Sequence, residues 1–240
     1  MKNAEEIVTR AIILLCLSDR CALERTSIEG RVYSLKERDE QRKAIYKWLQ
    51  EKGYISSMIL DEKMLFEQEV DKGNKDEILS RQIQYKAIEP CLWSLGLEDT
   101  LSDYDCFVSK DFHPILEIGR KHTLESLLNK CHVRELEDIE LHKEISMLWH
   151  WRTREANNVI FNQKSAKEVI LSTFGKQYLK VLDRMEAFKK GHDDFILNNK
   201  AFRDLNLEEK NRTRFIAKWR HHAFEWIAED RSWDEVELNT

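Results

Sequence analysis

The stretch that most constrains this chain is Leu141 to Val159, LHKEISMLWHWRTREANNV, where two of the seven tryptophans lie beside a histidine and two arginines. Set out at ~100° per residue, Leu141, Ile145, Leu148, Trp149, Ala156 and Val159 share one face, and Met147 and Trp151 widen it. Arg152 falls in the middle of that apolar arc, whereas His150 and Arg154 point away from it. A fold that takes in this segment must wrap a helix over most of its circumference. It must also neutralise a guanidinium inside, because an unpaired buried charge costs several kcal/mol. Glu155, one turn on, or the acidic tail after Trp233 is the expected partner.

Turns are scarce elsewhere: only 7 Gly and 2 Pro occur in 240 residues, so elements must be long and few. Helical spacing of apolar residues recurs throughout. The spacing predicts a first helix over Asn3 to about Leu17 and a second that Ser34 caps with Glu37 and Gly53 ends. Ser57 to about Val70 reads as a third. A fourth runs from Asp76 to Trp93, is kinked near Ala87 by Pro90, and stops at Gly96. Glu98 to Lys121 is irregular, Thr123 to Asn129 is short, and the central helix spans about Arg134 to Asn157. Gln163 to Lys190 reads as one helix closed by Gly191, Asp193 to Asp204 as a hairpin around Asn198-Asn199, and Leu207 to Glu229 as the last helix. The expected fold is all-α: one domain over 1–240, about eight helices packed around a central buried helix, with the first and last helices against it.

Composition narrows the function classes. A net charge of −5 and the absence of a concentrated basic face argue against a nucleic-acid partner. Lys210 to His222 does mix cations with aromatics, but the aromatics take the inward stripe. The five cysteines show no C-x-x-C pair, which suits buried thiols in a reducing cytoplasm. Ala11 to Leu17 is too short to span a bilayer, and acidic Glu5 and Glu6 precede it where a signal peptide carries positive charge. No membrane association is expected. The sequence has no Gly-rich phosphate loop, no H-E-x-x-H and no G-x-S-x-G, so neither cofactor nor metal is expected.

One polar constellation remains. In the last helix Phe215, Trp219, His222 and Trp226 form an apolar stripe, which turns His222 inward and leaves His221 facing solvent. Arg152, Glu155, His222 and Asp234 are then expected to meet in one buried cluster, more in keeping with a satisfied ion-pair network than with an active site.

Phe202-Arg-Asp-Leu205, Arg220-His-His-Ala-Phe-Glu-Trp226, Trp233-Asp-Glu-Val and the closing Asn239-Thr240 resemble the C-terminal signature of an uncharacterised, mainly bacterial family, domain of unknown function 4272. Arg10-Ala-Ile-Ile-Leu-Leu-Cys16, Leu92-Trp-Ser-Leu-Gly-Leu97 and Leu148-Trp-His-Trp-Arg152 are similar to further stretches of it. The resemblance implies one domain and no activity. It places His221, rather than His222, at the motif histidine, so both join Arg152, Glu155 and Asp234 as candidates. Phe224-Glu225 replace the family's Leu-Asn, the glycine after its tryptophan is missing, and 163–191 looks longer, as an inserted helix would be. The functional expectation is a regulatory or interaction module that binds another protein or itself. An enzyme or small-ligand protein using the polar cluster is the alternative.

Overall fold

Asn3 accepts the Glu6 backbone N–H while the Glu6 carboxylate accepts that of Asn3, a capping box that starts a helix over Ala4–Ala22. Thirteen of its nineteen residues are buried, Ile7 through Leu17 without a break. The central helix, Leu136–Arg154, buries only eight of nineteen. Of the long helices the first is therefore the most enclosed, a role expected from the sequence for the central one. The computed structural model describes residues 1–28, 31–105, 110–120 and 123–238. Gly30, Cys106 and the Asn239-Thr240 pair lie outside the described residues.

The architecture is all-α. The longer helices after the first are Leu35–Glu51, Leu60–Glu67, Lys75–Ile83, Ile88–Ser94, Leu136–Arg154, Ala166–Phe174 and Leu207–Ala228, joined by loops and shorter helical pieces. Strand among the described residues is confined to two short antiparallel ladders, Ser27–Ile28 with Arg31–Val32 and Ile196–Leu197 with Lys200–Ala201. The second is the expected hairpin. Asn198 and Asn199 both take positive φ, 48° and 62°, as a two-residue type I′ turn demands.

Local signals explain most boundaries. Ser34 and Glu37 form the expected capping box, and Gly53, at φ 78°, follows the second helix. Pro90 sits in the first turn of Ile88–Ser94, where its missing N–H is not needed. The break expected at Ala87 is a 3₁₀ stretch over Gln84–Ala87. The single helix expected over Gln163 to Lys190 is a correction. Gly175 at φ 94° ends Ala166–Phe174, and Leu179–Leu182 and Glu186–Lys189 are one-turn pieces.

Buried apolar side chains gather into two clusters. One surrounds the first helix with Phe66, Leu92, Phe224 and Trp233. The other holds Leu148, Trp149, Trp151, Phe161, Phe195 and Phe202. The last helix serves both, with Ala217 in the second cluster and Trp219 to Ile227 in the first. It runs antiparallel to the central helix, so that His142 meets Phe224 and, further along, His150 meets His221.

Gly96 shows how tightly the connections are drawn. Its φ is +67°, its N–H reaches the Trp93 carbonyl, and the Leu97 N–H reaches that of Leu92, which together make a Schellman motif. A Cβ on Gly96 would lie 2.8 Å from the His132 carbonyl oxygen. Gly96→Ala is expected to destabilise the fold by about 2 kcal/mol, read from the urea midpoint at unchanged m-value.

Candidate functional site

Arg152 is fully buried, at 0% exposure, but its partner is not Glu155. Its Nε and one terminal nitrogen each donate to Asp194, at 2.9 Å, in a two-pronged pair. Asp194 also accepts the backbone N–H groups of Phe195 (2.9 Å) and Arg203 (3.1 Å), so both carboxylate oxygens take two bonds. The guanidinium carbon lies 3.7 Å from the Phe161 ring centroid and 4.6 Å from that of Phe202. Glu155 offers Arg152 only its backbone carbonyl, at 3.4 Å, and its carboxylate accepts from Asn158. The i, i+3 neighbour is visible in a sequence. A partner 42 positions away, at the base of a hairpin, is not.

The remaining candidates separate. Asp234 is exposed and accepts the Ser232 hydroxyl. His222 lies in an aromatic box, its ring 4.4 Å from Trp233 and 5.1 Å from Trp219, with Nδ1 unpartnered. His221, expected at the surface, is 3% exposed, and His150, expected to point outward, is 6% exposed. Their Nδ1 atoms are 3.2 Å apart across the seam of the central and last helices. One ring must donate there and the other must carry its proton on Nε2. Glu225 stands 4.0 Å from His221 Nε2. Burial, helped by nearby Arg154, Lys218 and Arg214, holds His150 down at about 4. Burial holds His221 and His222 at about 3. All three are neutral at pH 7. Arg152, Glu155, His221, His222 and Asp234 thus do not converge: Arg152 touches Glu155 only through its carbonyl, and the adjacent His221 and His222 face different neighbours.

Other buried charges follow the same rule. Arg10 pairs with Glu62 at 2.7 Å and donates to the Ser57 carbonyl. Arg20 and Arg42 donate to carbonyls at the end of the Leu60–Glu67 helix, those of Leu65, Gln68 and Phe66, groups left without intrahelical partners. Arg38 pairs with Asp71. Arg220, which sequence reasoning passed over, is 2% exposed and donates to Glu89 at 2.7 Å, while Ser102 donates its backbone N–H and hydroxyl to the same carboxylate. Among the described residues no group of three or more His, Cys, Asp or Glu side chains is placed to hold a metal ion.

Concavity lies at the surface instead. A groove of about 550 Å³ separates the start of the first helix from Trp226 and Trp233. Its Arg10 and Glu6 are already engaged, with Glu62 and with the Asn3 N–H respectively. Three more depressions, of about 520, 260 and 440 Å³, meet around the helix Lys75–Ile83, and Leu79 lines all three. Leu79 is 55% exposed. Beside it stands Phe215, which the sequence stripe had placed inward and which is 40% exposed. The helical wheel gives no signal for Leu79: at ~100° per residue it falls between Ile78 and Ile83, on the face that those residues mark as inner.

A family model described as "Domain of unknown function (DUF4272)" matches residues 1–171, and the chain belongs to that family. The matched span takes in the first and central helices and Leu79; Asp194 and the last helix, with the C-terminal motifs quoted above, lie beyond it. No curated protein and no solved structure matches the chain.

Two measurements test this electrostatic arrangement. Arg152→Met, which strands the buried Asp194 charge, is expected to cost roughly 3–5 kcal/mol, and Glu155→Leu less than about 1 kcal/mol; equal losses in denaturant unfolding would assign the pairing wrongly. For the histidines, the folded pKa lies below the unfolded value near 6.5, so the unfolded chain binds more protons and stability falls as pH drops from about 6.5 toward 4. Each buried neutral histidine contributes up to about 1.4 kcal/mol per pH unit to that slope. His222→Phe is expected to lower the slope between pH 6 and 5 by about that amount, and an unchanged slope would mean that His222 titrates normally.

Proposed function

We propose that this protein is an interaction module that docks another protein on the face around Leu79. The supporting observation is the exposure of Leu79 and Phe215, 55% and 40%, where three depressions meet. Isolated exposed leucines are common, and several here simply open helices, such as Leu60 and Leu207. Leu79 differs because it is a ridge flanked by grooves, the shape into which a partner's side chains pack. Interior chemistry favours the same reading, since Arg152, Arg220 and Arg10 are each paired with a buried carboxylate.

We place this activity in a reducing cytoplasm. Cys16, Cys21, Cys91 and Cys131 are free thiols, the first three buried, and burial lifts Cys21 and Cys91 to about 12. Among the described residues no helix is long and apolar enough to cross a membrane.

A photo-reactive residue at position 79 or 215 of the full chain, expressed in its own host, tests the docking face. A discrete protein adduct is expected at both positions and not at Val159, which is 68% exposed but lines none of the three depressions. Adducts with a second copy would identify self-association. No adduct at 79 and 215, or equal labelling at 159, would overturn the reading.

A further inference from the structure

The charge around Leu79 points to the chemistry of the partner. Two of the acidic residues that line these depressions, Glu24 and Asp71, are held by buried arginines: Glu24 by Arg20 at 2.6 Å and Asp71 by Arg38 at 2.7 Å. Their charge is therefore largely withdrawn from the surface. Arg25, Lys75 and Lys218 line the same depressions, are exposed, and have no carboxylate within ion-pair distance among the described residues. Arg25 donates only to the neutral Gln82 side chain, and Lys218 leans over the Trp219 ring at 5.1 Å. Asp76, in the first turn of the Lys75–Ile83 helix, is the one acidic lining residue that no described base neutralises. On a chain of net charge −5, the face that carries the apolar ridge is thus locally cationic.

Resting on the docking face proposed above, we infer that its occupant is an acidic amphipathic helix of another protein. Apolar side chains on one face of such a helix would fill the depressions on either side of Leu79, and its flanking Asp or Glu residues would meet Arg25, Lys75 and Lys218. These cations are solvated, so they steer and orient the partner more than they hold it. A flat anionic membrane leaves concave apolar depressions unfilled. A nucleic-acid duplex offers no aliphatic side chains to them and is repelled by the chain's overall charge.

The photo-reactive residue at position 79 again supplies the test, now with the captured segment sequenced by mass spectrometry. The expected segment has apolar residues at i, i+3 or i+4 and i+7 spacing, flanked by Asp and Glu. Adduct yield is expected to fall about 10-fold in the double variant Arg25→Glu, Lys218→Glu and to drop as salt is raised. Both substitutions are at exposed positions, and an unchanged melting temperature verifies the fold. A captured segment that is neutral or basic, or a yield indifferent to the charge reversal, would overturn the acidic partner while leaving the docking face standing. Adducts to lipid or nucleic acid, or no adduct at all, would overturn both.

Discussion

The second core of this protein depends on one ion pair. Arg152 enters it from the central helix, and without a full set of acceptors its burial would cost more than its apolar neighbours return. Asp194 supplies those acceptors, and its two oxygens also bind the backbone N–H groups of Phe195 and Arg203, on either side of the Ile196–Ala201 hairpin. The hairpin base, the helix and the rings of Phe161 and Phe202 are thereby locked in one arrangement. A hydrophobic pair of similar size would fill the same space without specifying where the hairpin must lie.

The rest of the molecule reuses the device. Arg10, Arg20, Arg38, Arg42 and Arg220 are all buried, and each reaches across to an element distant in sequence. Arginine suits this work because its planar fork stays charged and can satisfy carboxylate and carbonyl together. The Leu60–Glu67 helix illustrates the gain. It is only eight residues long, and Arg20 and Arg42 satisfy carbonyls at and just beyond its C-terminal end. The seam between central and last helices uses neutral groups instead, with His150 and His221 sharing one hydrogen bond.

How much of this was legible in the sequence follows from the range of each interaction. Capping boxes, the Gly96 stop, the Asn198-Asn199 turn and the burial of Arg152 are local or periodic signals, and they read correctly. The partner of Arg152 did not: neither Glu155 nor the acidic tail after Trp233 supplies it, and no local spacing marks Asp194, 42 positions on. His150 and His221 misled for a related reason. An amphipathic wheel assumes one buried face, yet the last helix buries every residue from Trp219 to Phe224, since it packs on the central helix as well as on the first core. Phe215 failed in the opposite sense: in the N-terminal half of that helix burial is confined to Thr213, Ile216 and Ala217, and the stripe continues past the packing that justified it.

Interior and exterior electrostatics are therefore one problem. The arginines that hold the Leu60–Glu67 helix and the loop after it are also those that draw Glu24 and Asp71 out of play at the surface. Arg25, Lys75 and Lys218 have no carboxylate within ion-pair distance among the described residues, on a chain whose overall charge is negative. A buried arginine already saturated with acceptors must break several hydrogen bonds before it can touch a ligand, whereas an exposed lysine on an apolar rim loses little by doing so. In the docking proposed here, the free energy for recognition comes from the apolar area and charge that the fold leaves exposed around Leu79.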